Sequence, residues 1–579
     1  MTQSANVLWV PPVEDPADGE AVKRLGVELA IPRVLASLLV RRGFTETERA
    51  RDFLDPRLQR LADPFALPDM AAAVARILQA IDRHERITLY GDYDVDGVTS
   101  LALLAEVLRG YGAAPACFLP SRMDEGYGLS ADGIARCLAE HHPALLVAVD
   151  CGTVSVAEIA SLQNSGVDVI VLDHHEPGAE RPACLALVNP KCDSSGAFKY
   201  LCSAAIAFKT CHALLKTRPQ PGFDLKSGLD LVALGTVADL VPLVAENRAL
   251  VRRGLLELAR TSRPGLRALM DVAGVGRGTM RPTDVGFRLG PRLNAAGRLG
   301  TAQAALELLQ TVDPRRGREL AAVLHQQNAE RQDVERRTLA EAERALRDGD
   351  VAVSELAAIV VGGRGWHPGV LGIVASRLLR AHHRPTIVIG FDETGAGKGS
   401  GRSIDGLPLV EALRDCAALL ERFGGHEMAA GLSIREAMFA EFQITFQRVA
   451  KERLTPGQLQ PRLSFDAEVT LDELDGAFCD QLERFQPFGI ANREPLFLAR
   501  GVMPAAPTRT LKEKHLRLSL WQPDRPAHRP IAGIFFNGAS PAPPPPPWDV
   551  AFHLDENAWQ GEIRRQLRIE ALRTSEGKR

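Results

Sequence analysis

The stretch Ile87-Thr88-Leu89-Tyr90-Gly91-Asp92-Tyr93-Asp94-Val95-Asp96-Gly97 decides the fold. A largely apolar run over 87–90 leads into three acids on alternate positions, and a helical pattern follows over 99–109. Carboxylates crowded at a strand end repel one another unless cations neutralise them. The stretch therefore predicts a divalent-metal site at the end of a buried strand. Two further apolar runs follow, at 145–149 and 167–172, with a helical pattern over 156–164 between them. Alternating strands and helices predict an α/β fold with a doubly wound parallel sheet. The second run ends at Asp150 and the third at Asp173-His174-His175. Ligands of such sheets sit beyond the carboxyl ends of the strands, so these residues are expected to converge on one crevice.

The residue types limit the metal. Carboxylates with His and without Cys suit Mn²⁺ or Mg²⁺ better than structural zinc. The acids exceed what one ion needs; two ions roughly 3.5–4 Å apart would use them. Asp150, on the central run, is the expected bridge. Asp239, in Gly235-Thr236-Val237-Ala238-Asp239-Leu240, is an acid in an apolar stretch, where an unpaired carboxylate is costly. Each residue alone has a plainer reading. A strand-end Asp usually caps a helix or makes a turn, a lone His is usually a hydrogen-bonded core residue, and Asp239 can pair with Arg248. Ligand-type residues at three consecutive strand ends favour the metal. The expected metal-binding and catalytic set is Asp94, Asp96, Asp150, His174, His175 and Asp239, supported from outside by Asp92 and Asp173; the sequence does not separate a metal ligand from a phosphate contact for His174 and His175.

A chain of 579 residues is expected to hold several domains. A net charge of −3 provides no global basic field, so any nucleic-acid contact must come from local Arg and Lys clusters. The nine cysteines show no paired close spacing, no leader-like pattern opens the chain, and no apolar window reaches about 18 residues. A soluble cytoplasmic protein without membrane contact is expected. Residues 1–78 read as a helical segment, 79–260 as the first α/β domain and 261–348 as a helical connector. Residues 349–455 read as a second α/β domain with strands at 357–361 and 386–389. Residues 456–579, with short strand-like runs at 496–498, 516–520 and 566–569, read as a small β-barrel. A proline-rich surface loop is expected at 540–547.

These motifs resemble the DHH phosphoesterase superfamily, named for the triplet present here as Asp173-His174-His175. Tyr90-Gly91-Asp92-Tyr93-Asp94-Val95-Asp96-Gly97 is similar to the first motif of the RecJ family; smaller DHH enzymes usually carry a His where Tyr90 stands. Val149-Asp150-Cys151-Gly152 and Gly235-Thr236-Val237-Ala238-Asp239 resemble the second and fourth motifs. Arg292-Leu293-Asn294-Ala295-Ala296-Gly297-Arg298 is similar to a RecJ segment beyond the DHH core. Trp366-His367-Pro368-Gly369 through Arg377, and Gly424-Gly425-His426 with Ala429-Ala430-Gly431, resemble the DHH-associated domain. Gln486-Pro487-Phe488-Gly489 followed by Glu494-Pro495 resembles the start of the RecJ OB-fold. One departure stands out: the family often has Gly-x-Gly-Asn-Pro here, and this chain reads Gly489-Ile490-Ala491-Asn492-Arg493, losing a flexible backbone position. The resemblance implies a DHH domain, a DHH-associated domain and a C-terminal OB-fold barrel. It further implies a metal-dependent, single-stranded-DNA-specific 5′→3′ exonuclease that releases 5′-mononucleotides in repair and recombination. Two lobes would form a channel too narrow for a duplex, and single-strand-binding protein and a RecQ-type helicase would be partners. A monomer is expected.

Nucleic-acid hydrolysis also needs groups that hold phosphates. Gly395-Ala396-Gly397-Lys398-Gly399-Ser400-Gly401-Arg402 reads as a basic glycine-rich loop whose amides cradle an anion. It is not a Walker A loop, because Asp392 stands where the first Gly belongs and Gly399 replaces the Ser or Thr after Lys398, so no ATP site is expected. His367, before Pro368, is expected at a helix N-terminus that attracts phosphate. Gly425 and His426 sit where glycines let backbone approach a ligand, and Arg292 and Arg298 flank what reads as a small-residue turn. With the family's support, the substrate-binding set is Arg292, Asn294, Arg298, His367, Ser400, Arg402, Gly425 and His426. In the tail, Lys512, Lys514, His515 and Arg517 form the best basic cluster, while Trp521, Phe535, Phe536 and Trp559 either stack on bases or fill the core.

Overall fold

Continuous apolar runs bury both faces of a strand, which is what a parallel sheet between two helical layers requires. The structure, a computed structural model, describes residues 7–13, 15–121, 125, 128–192, 196, 198–276, 278–299, 301–349, 351–523, 530–559 and 562–575. The first sheet comprises β1 (Ile87–Gly91), β2 (Ala116–Phe118), β3 (Leu145–Val149), β4 (Asp168–Leu172) and β5 (Ala186–Val188). Its order is β2-β1-β3-β4-β5, all parallel. Alternate side chains feed two cores. Leu89, Val147 and Ile170 join one core with helices α1 (Val95–Gly110), α2 (Ser203–Thr217) and α3 (Leu229–Ala238), whereas Tyr90, Ala148 and Val171 join the other with Ile134 and Ile159. The sheet order reverses between β1 and β3, the switch point where such folds bind ligands. Register sharpens this: Gly91 pairs with Val149 and Val149 with Leu172. The residues that follow, Asp92, Asp150 and Asp173, therefore leave the sheet side by side.

Chain contacts divide the molecule into two compact units. One holds residues 52–331 and 486–493. It contains the first sheet, helix α4 (Ala245–Ala259) and helix α5 (Gly290–Leu299). The segment 486–493, similar to the family's OB-fold approach, packs here: Ile490 accepts from the Leu243 N–H (2.9 Å), and the buried Arg248 guanidinium donates to the carbonyls of Gln486 (2.8 Å) and Phe53 (2.6 Å). Arg292 to Arg298 is helix α5, not the expected turn; its small residues permit close packing. Helix α6 (Pro314–Arg347) carries the chain into the other unit.

That second unit holds residues up to 51, 332–485 and from 494 onward. Its N-terminal part is helical, as at Gly19–Glu28 and Arg33–Arg41, but a short strand, Leu8–Val10, also pairs in parallel with Arg462–Ser464. Three residues are too few for a period to declare itself, so the sequence reading had only helix there. The second sheet comprises β6 (Ile359–Arg364), β7 (Thr386–Phe391), β8 (Ala396–Arg402), β9 (Arg422–Gly425) and β10 (Ala429–Arg435), ordered β9-β10-β8-β7-β6. The expected glycine-rich loop is thus an interior strand, β8, whose backbone pairs with both β7 and β10. Its glycines serve packing: a Cβ at Gly397 would lie 2.6 Å from the Phe391 ring, and one at Gly399 2.7 Å from Leu432. The amides expected to cradle an anion lie along ladder-paired strand.

The tail forms a barrel from β12 (Phe497–Pro504), β14 (His515–Trp521), β15 (Ile531–Phe535), β16 (Trp548–Trp559) and β17 (Glu562–Thr574), with the short β11 (Ala467–Glu468) and β13 (Arg509–Leu511) at the sheet's ends. Taken around the wall, the five main strands run in the order first-second-third-fifth-fourth, and the first pairs back with the second to close it. The third and fifth are parallel. This is the OB arrangement of a five-stranded Greek-key barrel. The proline-rich loop is tied down by Trp548 Nε1 donating to Pro544 O (2.7 Å) and the Ser575 N–H donating to Pro547 O (2.7 Å).

Candidate metal centre and phosphate-holding residues

Strand β1 delivers the acids through a turn that forbids side chains at its tightest point. A Cβ at Gly97 would lie 2.3 Å from the Asp92 carbonyl oxygen. Asp94 is the N-cap of α1, accepting from the Gly97 N–H at 3.1 Å. Asp96 lies in the first turn, fully buried, and its carboxylate accepts from the N–H groups of Ser203 (2.7 Å) and Ala204 (2.9 Å) at the start of α2. A helix N-terminus favours such a carboxylate. Burial, followed by the nearby Asp94, nevertheless pushes the Asp96 pKa up to about 6.

Asp150 adopts φ +63°, a left-handed conformation rare for a residue other than glycine and costly unless the surroundings enforce it. Its N–H donates to Leu172 O (3.0 Å), and its Oδ1 accepts from the Ser203 hydroxyl (2.9 Å). Burial, then repulsion from Asp96, Asp94, Asp92 and Asp239, holds its pKa well above the carboxylate range. Asp239 caps the C-terminus of α3, and burial with Asp96 and Asp94 pushes its pKa up to about 9.

The imidazoles divide the work. His174 Nε2 lies 3.4 Å from Asp150 Oδ1, 3.5 Å from Asp239 Oδ2 and 3.9 Å from Asp96 Oδ2. Burial, then His175, lowers its pKa to about 3, leaving a neutral imidazole able to ligate. His174 Nε2 and Asp239 Oδ2 are both buried with no hydrogen-bond partner among the described residues. Asp173 faces the other way. Its Oδ1 accepts from the N–H groups of His174 (2.7 Å) and His175 (3.2 Å) and contacts His175 Nδ1 (2.7 Å), while Oδ2 accepts from the Thr153 N–H (3.0 Å). Burial alone would raise the Asp173 pKa, but these bonds hold it well below the usual range. Burial works the opposite way on His175, and Asp173 outweighs it to raise that pKa.

Three overlapping groups present potential ligand atoms within 4.8 Å of one another: Asp150 with His174 and His175; Asp96 with His174 and Asp239; Asp92 with Asp94 and Asp150. All six expected ligands are brought together. Asp92, expected as a support, stands with Asp94 and Asp150. Asp173 sits behind His175, which it orients. Oxygen and imidazole donors with orphaned buried atoms fit Mn²⁺ or Mg²⁺. The sequence reading missed Ser203 and Ala204, which anchor Asp96 and Asp150, and Gly235, where a Cβ would lie 2.7 Å from Asp96 Oδ1. It also missed Asn189, which donates to Thr153 Oγ1 and to the His175 carbonyl (both 2.9 Å). Of these, only Gly235 stood inside a quoted motif.

Tyr90 is no part of this cluster. It lies on the opposite face of the sheet, stacked on Phe118 at 4.9 Å, with its hydroxyl donating to Gly128 O (3.1 Å). Asn294, on α5, accepts from the Val95 N–H (3.1 Å), and Gly297 lets the helix approach Tyr93, whose carbonyl would lie 2.8 Å from a Cβ there. Asn294 thereby holds the acidic turn from outside. On the same helix Arg292 Nε donates to His325 Nδ1 (3.2 Å), and Arg298 lies in the last turn.

The other predicted phosphate ligands belong to the second unit. His367 is the N-cap of helix α7 (Pro368–His382), its Nδ1 accepting from the Gly369 N–H (3.0 Å). Arg402 donates to Ser400 Oγ (3.1 Å) on β8, and both abut α7 at Gly372, where a Cβ would lie 2.9 Å from the guanidinium. Burial lowers the Arg402 pKa, and no carboxylate faces it among the described residues. Gly425 has φ +143° and no room for a Cβ, and the exposed His426 follows at the turn into β10. In the barrel, Phe535 is core and Phe536 is 50% exposed against His515. The Trp559 side chain lies outside the described residues.

Three family models match: "DHH family, N-terminal domain" over residues 86–236, "DHHA1 domain" over 348–452 and "RecJ OB domain" over 465–571. The chain is 39% identical to the single-stranded-DNA-specific exonuclease RecJ of Bacillus subtilis strain 168, across 84% of this chain and 61% of that protein. It is 36% identical to the same-named protein of Dickeya dadantii strain 3937, across 94% of this chain and 96% of that one. The crystal structure of Thermus thermophilus RecJ in complex with Mn²⁺ matches with a TM-score of 0.83 at 33% identity, covering 99% of this chain and 80% of that chain. Its Mg²⁺ complex matches at 0.77 and 31%, covering 99% and 79%.

Proposed function

The chain belongs to the RecJ family of single-stranded-DNA-specific exonucleases, and from that premise we propose that it degrades single-stranded DNA 5′→3′, releasing 5′-mononucleotides by metal-dependent hydrolysis. The observation that carries the reading is the convergence of Asp96, Asp150, His174 and Asp239, with orphaned buried ligand atoms, at the switch point of the sheet. Asp92, Asp94, Asp96, Asp150, His174, His175 and Asp239 would hold the Mn²⁺ or Mg²⁺, with enough donors for two ions. When bound, such ions lower the pKa of water and polarise the scissile phosphate. Asp150 would help to hold them, since its carboxylate stands within ligand distance of His174 and His175 and of Asp92 and Asp94. Asp173 fixes the ring of His175, and the N-terminus of α2 fixes Asp96, so the carboxylates stay aligned without solvent.

Arg292 and Arg298 are assigned to the DNA backbone, as are His367, Ser400, Arg402, Gly425 and His426; Asn294 acts by holding the acidic turn. The domains are assigned as 79–260 DHH, 349–455 DHH-associated and 456–579 OB, less the segment 486–493 that packs with the DHH unit, with 1–78 and 261–348 as the N-terminal segment and connector. The family supports a role in DNA repair and recombination, with single-strand-binding protein and a RecQ-type helicase as partners, and a monomer in the cytoplasm. The nine free cysteines agree with a reducing compartment. Among the described residues no helix is long and apolar enough to cross a membrane.

The test is mononucleotide release from end-labelled single-stranded DNA with Mn²⁺ or Mg²⁺, alongside Asp150→Ala. The parent is expected to cleave, and the variant to lose cleavage while keeping its fold by circular dichroism. Normal cleavage by the variant removes Asp150 from the mechanism.

A further inference from the structure

Just before α5 the helix widens. A short turn at Pro282–Asp284 runs into a π-helical turn, Val285–Leu289, and α5 follows directly. Such turns are rare and recur at functional sites. Here Val285 and Leu289 are fully buried, while Phe287 is 73% exposed. An aromatic ring held in water forgoes the burial that usually stabilises it, so its outward aim calls for a surface that stacks on it.

The position of this turn says what that surface is. The turn packs against α3, the helix that ends at Asp239, and a Cβ at Gly290 would lie 3.6 Å from Ala238, the residue preceding that acid. Two turns further on, Asn294 holds the Val95 N–H of the acidic turn. Two arginines, Arg288 and Arg292, follow Phe287 on the same run of helix. Arg288 Nη1 donates to Gly274 O (3.2 Å), and Arg292 donates to the Arg288 carbonyl (2.6 Å) and to His325. An exposed aromatic ring on an arginine-bearing run of helix that packs against α3 and holds the acidic turn combines the two features with which proteins hold single strands: stacking and backbone charge. A hydrophobic protein partner is a poorer fit for a ring on a segment that also carries Arg288 and Arg292.

We propose that Phe287 is a base-stacking platform that positions a nucleobase of the single strand beside the metal centre. The proposal rests on the exonuclease reading above and adds the base, where the ion cluster and arginines address only phosphate. It implies that the enzyme holds its substrate partly by base faces, without sequence preference, because every base has one.

The experiment compares the parent, Phe287→Ala and Phe287→Trp on a normal oligodeoxynucleotide and on one of equal length with all bases removed. On the normal strand Phe287→Ala should raise KM about ten-fold with little change in kcat, and Phe287→Trp should restore it. On the abasic strand the three proteins should coincide. In parallel, binding of a 2-aminopurine-labelled strand is read by fluorescence with EDTA present, so that cleavage is not needed; quenching by the parent should be lost in Phe287→Ala. An unchanged KM and unchanged quenching in Phe287→Ala overturn the platform. So does an equal loss on normal and abasic strands, which marks a structural role. Failure of the exonuclease reading shows separately, as a parent that does not cleave.

Discussion

The acids at the sheet's switch point are held in the folded protein against their own repulsion. Asp96 and Asp239 have pKa values pushed to about 6 and about 9 from a reference of 3.8, in both cases by burial first and neighbouring acids second. Without metal, both states are protonated below 3.8 and these groups cost nothing. As pH rises, the unfolded chain releases protons that the folded one retains, so stability falls, through about 6 for Asp96 and about 9 for Asp239, before levelling. Metal-free protein should therefore melt at lower temperature at pH 8 than at pH 5, Asp239→Asn should flatten that fall, and saturating Mn²⁺ should raise the melting temperature most at the higher pH; melting curves with EDTA and with Mn²⁺ read all three. A second residue-scale prediction concerns Ala491, which stands where the family often has glycine and adopts φ +59°. A Cβ costs about 1–2 kcal/mol in this region, partly offset by the greater unfolded-state entropy of glycine. Ala491→Gly should stabilise the protein by about 0.5–1 kcal/mol in urea unfolding. At this scale the acids and imidazoles that cluster were legible because residue type carries the chemistry. The supports Ser203, Ala204 and Asn189 were not, because backbone N–H groups and common polar residues carry no such mark.

Helix ends do the positioning. Helix α1 starts at the acids, α2 points its N-terminus at Asp96, and α3 ends at Asp239. The crossing of α3 with α2 and α1 depends on Gly235, where a Cβ would lie 2.6 Å from Ala204 Cβ and 2.7 Å from both Asp96 Oδ1 and Thr99 Oγ1. Gly235→Ala should force α3 outward, carrying Asp239 from His174. Metal affinity is expected to fall about 10–100-fold, the scale of a lost supporting contact, with some loss of thermal stability; calorimetric Mn²⁺ titration gives the first and melting the second. Unchanged affinity would show that the helices accommodate a methyl group. The three central strands of the first sheet were readable as apolar runs because both faces are buried, whereas the three-residue outer strands β2 and β5 were too short to declare themselves. Strand β8 was not, because its glycines, needed where Phe391, Leu432 and Leu409 press on the backbone, imitate a loop. The Arg292–Arg298 segment likewise reads as a turn from its small residues and is helix because α5 must approach Tyr93 closely.

For the whole molecule, a formal charge of −3 means that affinity for DNA must come from local patches. The exposed Lys512, Lys514 and Arg517 lie on the β13–β14 hairpin of the barrel, near the exposed Phe536. Replacing all three by Gln should weaken binding of long single strands and reduce the slope of log affinity against log salt by about 2, for three phosphate contacts on a single strand. An unchanged slope in binding titrations would take this hairpin off the DNA path. The segment 486–493 packs with the metal-bearing unit although barrel strands follow it in the chain, an assignment no linear boundary expresses. The sequence by itself determined the class of sheet, the ligand chemistry and the order of the parts, since run length, acid spacing and motif order are local properties. Only the tertiary structure decided which acids stand together and which residues hold them. The register that lines up Asp92, Asp150 and Asp173, the α2 N-terminus on Asp96 and the outward turn of Phe287 all depend on partners distant in the chain. Such contacts form only when hydrogen-bonding groups and side-chain volumes are satisfied all at once.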